Sequence, residues 1–185
     1  MMTKLFKDIY GKEVNLIKLD IKYLNDMWEY SSDPNMYEHF EFGPQKTIAN
    51  LKKYLNRLIK RSNGDDAHWW FIQINKTKKI VGSFGIHDID FHKKACEISY
   101  ALSPSFWGKG VFKQALKLVL QRLISEFHFY RITAVTSSNN IRSIEALKKT
   151  GFKEEGEFRD FYLKDNETRF NATPLALLAS EYIEL

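Results

Sequence analysis

The part of the chain best suited to holding an anion is Trp107-Gly108-Lys109-Gly110-Val111-Phe112-Lys113, which opens a long amphipathic segment. The first turn of a helix has free N–H groups and a partial positive charge. Glycines tolerate positive φ and let a phosphate reach the backbone. Lys109 and Lys113 add charge, so the spacing predicts a pyrophosphate cradle. It is not a Walker loop, because no Gly-Lys-Ser/Thr follows, and it lacks the third glycine of the dinucleotide fingerprint. Taken alone, Gly-x-Gly before a helix also serves as a plain turn and cap.

A second segment narrows the choice. Asn140-Ile141-Arg142-Ser143-Ile144-Glu145-Ala146-Leu147-Lys148-Lys149-Thr150-Gly151-Phe152 follows a strand pattern downstream of the glycine loop. The pair resembles the GNAT acyltransferases, and within them the RimJ/RimL type that acetylates ribosomal-protein N-termini. There a strand like Glu97-Ile98-Ser99-Tyr100 leads into Trp-Gly-Lys-Gly, and an Asn-x-x-Ser helix ends in Gly-Phe. The likeness is dense over residues 80–163 and looser elsewhere.

The resemblance implies acetyl-coenzyme A as acetyl donor. The backbone from Trp107 through Gly108, Lys109, Gly110, Val111 and Phe112 to Lys113 would hold the pyrophosphate. Tyr100, Ala101 and Leu102 would pair with the pantetheine arm, with one strand-end N–H polarising the thioester carbonyl. Asn140 would bond the pantetheine, and Ser143 would sit near the sulfur as the candidate acid. Two positions depart from the pattern. Phe112 is bulkier than the family loop expects, and either narrows the pocket or turns into the core. Leu147 stands where many members carry a tyrosine that protonates the leaving thiolate.

Aminolysis of a thioester needs a neutral amine, a stabilised oxyanion and charge relief at sulfur. Positioning and a backbone N–H at the oxyanion supply much of the rate. A free α-amine has a pKa of about 7.7–8.0 and a lysine about 10.4, a difference worth roughly 3.5 kcal/mol in deprotonation. An α-amine or low-pKa sugar amine therefore needs only one carboxylate or a water relay. Glu97, on the strand that nears the thioester, is the first candidate base; His87 and Asp88 are the others. Asn140 and Ser143 also fit plain capping roles at a helix start. Trp28, Tyr37, His39, Phe40 and Phe42, with Trp69 and Trp70, either wall an acceptor pocket or fill the core. Cys96 reads as a small buried residue. The five histidines lack the spacing of a zinc set, so no metal is expected.

The elements that must position these residues follow from periodicity. Strands are predicted over 14–19, 69–74, 80–89, 95–102, 131–136, 152–161 and 169–178, and helices over 20–31, 47–59, 110–127 and 140–149. The turn at residues 75–79 makes a hairpin of the second and third strands. Gly151 suits a helix C-cap. This order predicts an α/β fold: a single GNAT-like domain over 1–185, with a mixed, mostly antiparallel sheet of about seven strands and about four helices.

At 185 residues the chain has room for one full core. A lone cysteine asks for no oxidising compartment, and neither a membrane-length apolar run nor a signal-type core in residues 1–12 appears, so a cytoplasmic protein without membrane partners is expected. The net charge of +5 suits a polyphosphorylated ligand as well as nucleic acid. The expectation is an N-acetyltransferase acting by direct attack in a ternary complex, its acceptor a protein N-terminal α-amine. A small amine (amino sugar, polyamine or aminoglycoside) is the alternative acceptor, and a non-catalytic ribosome- or RNA-binding module the alternative class. Nucleic-acid partners are expected to be absent and a homodimer is left open.

Overall fold

The computed structural model describes residues 6–165 and 167–183. Its strands are β1 (Ile9–Tyr10), β2 (Val14–Lys18), β3 (His68–Ile74), β4 (Ile80–Asp90), β5 (Ala95–Leu102), β6 (Arg131–Ser137), β7 (Lys153–Glu154), β8 (Phe158–Lys164) and β9 (Thr168–Leu178). Four α-helices accompany them among the described residues: α1 (Leu24–Ser31), α2 (Ile48–Arg61), α3 (Val111–Leu120) and α4 (Ile141–Lys148). One sheet runs β1-β2-β3-β4-β5-β6-β9-β7, and β8 also pairs with β9. Every pairing is antiparallel except β5 with β6.

The sheet has nine strands, two more than its sequence pattern suggests. β1 is only two residues long, too short for any alternation to register, and is closed onto β2 by the Gly11 N–H to Val14 carbonyl bond of 3.1 Å. The single strand predicted over 152–161 is two pieces, both laid antiparallel on β9. The break falls around Gly156, whose φ of +142° turns the chain out between them.

Two helices also differ from their predicted form. The segment predicted as a helix over 20–31 starts as a 3-10 turn (Ile21–Tyr23) capped by Asp20, and only then becomes α1. The long helix stops its α hydrogen bonding at Leu120 and continues as a π-helical turn over Gln121–Glu126. The caps follow local chemistry as expected. Thr47 accepts from the Asn50 N–H at the start of α2, and Gly151, at φ +97°, follows α4 with its N–H on the Lys148 carbonyl.

The core lies on both faces of the sheet, and strand alternation sorts it. Trp70 and Ile72 of β3 point to the α3/α4 face with Phe84, Leu116, Val119 and Leu147. Phe71, between them, points to the other face with Met27 of α1 and Leu51, Leu55 and Leu58 of α2. Trp70 is thus a core residue, as is Tyr37, and Trp28 packs against the α1/α2 core. Ile21 and Ile48, near the starts of the segments predicted as helices over 20–31 and 47–59, are more than a third exposed although they share the helical spacing of the buried apolar residues. They sit at the first positions of their elements, where the stripe begins outside the packed area.

Candidate active site

The site is built on the one parallel pairing. β5 and β6 are bonded only at Ala95–Arg131, Cys96–Ile132 and Glu97–Thr133, yet β5 runs on to Leu102 and β6 to Ser137. Beyond Glu97 the two strands part, and alternate backbone groups of β5 face the gap. The wedge is filled by two adjoining cavities of about 250 and 260 Å³. His39, Phe40, Tyr100, Asn140 and Ser143 line both, and so mark their junction.

The first cavity ends on the glycine loop. Gly110, at φ +76°, is the N-cap of α3, and Gly108 has φ +69°. Each faces open space, with no heavy atom within 4 Å of where a Cβ would stand. The first intrahelical bond runs from the Gln114 N–H to the Gly110 carbonyl, so the N–H groups of Val111, Phe112 and Lys113 precede it, and no side chain caps them. The loop is braced from behind. The Trp107 indole N–H donates to the Leu102 carbonyl at 2.9 Å, and the Arg142 guanidinium of α4 lies 3.9 Å from the centre of the Trp107 ring. A donor-rich cradle with both Cβ positions empty fits a pyrophosphate.

Of the residues assigned to the cofactor from sequence, Tyr100, Ala101, Leu102, Trp107, Gly108, Gly110, Phe112, Lys113, Asn140 and Ser143 line this cavity. Val111 does not, because its side chain is buried in the core, and Lys109 instead reaches over the Phe106 ring at 5.5 Å. Phe112 meets both expectations at once. It packs against the core and also forms cavity wall, its ring centre 4.2 Å from that of Tyr100. Asn140 caps α4 through its side-chain oxygen, which accepts from the Ser143 N–H at 3.2 Å and leaves the amide nitrogen to other partners.

The second cavity ends on Glu97. Its carboxylate side chain is about 30% exposed and sits 3.9 Å from His87 Nε2. His87 Nδ1 is 2.7 Å from Asp88 Oδ2, and as a carboxylate only accepts, His87 donates there and turns its other nitrogen towards Glu97. Glu97, His87 and Asp88, three rival bases in the sequence, are one chain running from the cavity to the surface, where Asp88 is 81% exposed. Cross-strand pairing of His87 with Glu97 creates it, and Trp69 stacks on the imidazole at 6.3 Å. Burial, above all, pushes the Glu97 carboxyl above the usual carboxylate range; His87 opposes the shift and Asp88 adds to it.

Further wall residues come from unexpected places. His39, Phe40 and Phe42, for which the sequence leaves both pocket wall and core open, line the second cavity, and so do Glu41 and Tyr162. The Tyr162 hydroxyl donates to the Val135 carbonyl at 3.3 Å, and burial pushes its phenol up to about 12. Glu41 Oε1 accepts from the Leu163 N–H at 3.0 Å, and Lys164 donates to the Glu38 carbonyl at 3.1 Å, so β8 clasps the loop carrying Phe40 and Phe42. Nothing in the local sequence of β8 signals this, because it depends on β8 folding back along β9. At the junction itself the Tyr100 and Ser143 hydroxyls are 2.6 Å apart, and Leu147, fully buried, supplies apolar wall. Among the described residues no group of three or more His, Cys, Asp or Glu side chains is gathered as a metal ion would require, and no helix is long and apolar enough to cross a membrane.

Comparison with known proteins agrees with this geometry. Residues 13–153 match the acetyltransferase (GNAT) domain family. An uncharacterized N-acetyltransferase, p20, of Bacillus licheniformis is 25% identical over 174 residues, covering 94% of this chain and 97% of that one. The [ribosomal protein uS5]-alanine N-acetyltransferase of Escherichia coli is 30% identical over 95 residues, 50% of this chain and 48% of that enzyme. The crystal structure of a GCN5-related N-acetyltransferase from Brucella melitensis shares the fold, with a TM-score of 0.86 at 22% identity, covering 95% of this chain and 80% of that one. The reading as a binding module without catalysis thereby gives way. The chain belongs to the GNAT acetyltransferase family and is an N-acetyltransferase whose acetyl donor is acetyl-coenzyme A.

Proposed function

We propose that the two cavities divide the reaction, with acetyl-coenzyme A in the one that ends on Gly108 and Gly110 and a primary amine in the one that ends on Glu97. The observation that carries this reading is their meeting in the β5/β6 wedge, at Tyr100, Asn140 and Ser143. Bound there, the donor supplies a thioester carbonyl within reach of both. The backbone from Trp107 to Lys113 holds the pyrophosphate, while the free strand edge at Tyr100, Ala101 and Leu102 pairs with the pantetheine. Asn140 contributes its amide nitrogen. Glu97 takes the proton from the amine as the N–C bond forms, and the electron pair of the C–S bond departs on sulfur beside Ser143. A carboxyl whose affinity for protons is raised by burial is better matched to an amine than an ordinary one.

The acceptor we favour is a free α-amine, as at a protein N-terminus. One partly exposed carboxylate suffices for an amine of pKa about 8, but meets roughly 3.5 kcal/mol more cost with a lysine. A small amine is the second reading, favoured by the clasp between β8 and the Phe40–Phe42 loop, which roofs a cavity of only about 260 Å³. A screen of acetyl transfer from acetyl-coenzyme A to peptides with free N-termini, amino sugars, polyamines and aminoglycosides tests both. Turnover of peptides blocked at every lysine supports the first reading. Turnover confined to small amines overturns it in favour of the second.

A further inference from the structure

The junction of the cavities holds a partly buried hydroxyl pair whose mutual contact none of the roles above uses. Tyr100 comes from β5 and Ser143 from α4, elements far apart in the chain, and their oxygens lie 2.6 Å apart. Ser143 is only 9% exposed. The Tyr100 ring is fixed by Phe112 at 4.2 Å and Phe84 at 5.8 Å, so the phenol has little freedom to point elsewhere. Next to the pair is Leu147, which offers no proton donor.

Which oxygen donates follows from acidity. Either oxygen could donate, but a phenol is the stronger donor and an alkyl hydroxyl the stronger acceptor, which favours the Tyr100 proton lying towards Ser143 Oγ. Ser143 Oγ has no other hydrogen-bond partner among the described residues, which leaves its own proton to point into the junction. We propose that Tyr100 is a positioning residue, donating to Ser143 so that the Ser143 O–H is committed to the sulfur of the bound coenzyme. This rests on the cavity assignment above and adds a hydrogen-bond donor for the leaving sulfur at a site where position 147 offers no tyrosine.

The pair acts by hydrogen bonding and not by giving up a proton. Burial pushes the Tyr100 phenol up to about 12, with the Ser143 contact opposing. A thiolate whose conjugate thiol has ordinary acidity, about 8.5, is far too weak a base to take that proton. As the C–S bond breaks, the electron pair goes to sulfur, the Ser143 O–H shares its proton with it, and the amine proton goes to Glu97. The thiolate leaves as an anion, so no co-reactant is needed. A donor polarised by a second donor makes a stronger bond to an anion than one acting alone.

The consequence can be read without knowing the acceptor. The bound thiol of coenzyme A becomes more acidic, so affinity for free coenzyme A rises as pH passes from below the bound to above the free thiol value. The desulfo analogue, which has the same phosphates and no sulfur, reports every other titration at the site. Charged and titratable groups lining the two cavities, besides Tyr100 itself, are His39 and Glu41 from the loop before α2, Glu97 from β5, Lys113 from α3, Arg142 from α4 and Tyr162 from β8. Calorimetry on the full chain, wild type and Tyr100→Phe, Ser143→Ala and the double variant, compares the two ligands from pH 6.5 to pH 9.5, values chosen to span about two units below and one above an ordinary thiol. The wild type should gain about tenfold for coenzyme A over the desulfo analogue. Each single variant should lose that gain, and the double variant should be no worse than Ser143→Ala, as expected of two residues acting in series. Desulfo affinity within about twofold of wild type shows that a variant's site is intact. An equal gain in wild type and variants, additive losses, or no gain in the wild type overturns the inference alone. A wild type that binds neither ligand overturns the cavity assignment and the inference with it.

Discussion

Glu97 is where the chemistry is most exposed to test by single substitutions. Glu97→Gln keeps size and polarity but removes the proposed base; it should lower kcat by about a hundredfold or more, with acetyl-coenzyme A affinity nearly unchanged. The acidic limb of the wild-type pH–rate profile should lie above the ordinary carboxylate range and vanish in the variant. The linked stability change has a definite sign. Burial raises the folded-state pKa of Glu97, so folding is favoured with the carboxyl protonated, and that contribution disappears as pH rises through the folded value. Glu97→Gln should therefore raise the melting temperature at pH 7 and leave it unchanged at pH 4; a drop at pH 7 would show that the carboxylate is net stabilising there. The type and strand of Glu97 were legible in the sequence. Its link to His87 and Asp88 was not, because it arises from cross-strand register, which a list of residues does not contain. The same holds for Tyr100 and Ser143, 43 residues apart and joined only when β5 and α4 meet.

Among the elements, α3 and α4 matter most, because each brings its N-terminus to the wedge. Gly110 needs a left-handed backbone, which costs a side-chain-bearing residue roughly 1–2 kcal/mol. Gly110→Val should lose about that much stability, measured by urea unfolding, and lose acetyl-coenzyme A binding altogether, because the added methyls enter the space where a phosphate approaches. Asn140→Asp separates the two duties of its residue. The carboxylate still caps α4, so stability should hold, whereas Asn140→Ala should cost about 1 kcal/mol. Both should weaken cofactor binding if the amide nitrogen bonds the pantetheine; unchanged affinity in both would restrict Asn140 to capping. Periodicity revealed these two helices and the glycine at each relevant end, since 3.6-residue patterns and caps are local. It did not reveal the π-helical turn after Leu120, whose apolar spacing imitates a continuing helix, nor the split into β7 and β8, where an exposed, aromatic-rich run still reads as one strand.

Across the whole molecule, function depends on a sheet that is continuous everywhere except at the wedge. Eight pairings are present among the described residues, and the one parallel pairing among them is both the shortest strand-to-strand contact at the centre and the source of the gap. Residues 38–42 and β8 then close the Glu97 side, so the site draws on segments over 120 positions apart, as the Leu163–Glu41 bond shows. Glu41→Ala removes that acceptor from the clasp. It should raise the KM for the amine several-fold and leave both kcat and acetyl-coenzyme A affinity close to wild type. A matching fall in kcat would mean that the clasp shapes the reaction itself.

The central claim, that the glycine loop holds the acetyl donor, is tested most directly by titrating acetyl-coenzyme A into the wild-type chain and the Gly110→Val variant by calorimetry. Saturable binding by the wild type, one ligand per chain, is expected, and none by a variant that remains folded. Absence of saturation by the wild type at about millimolar ligand, or equal affinity in the two proteins, would contradict it.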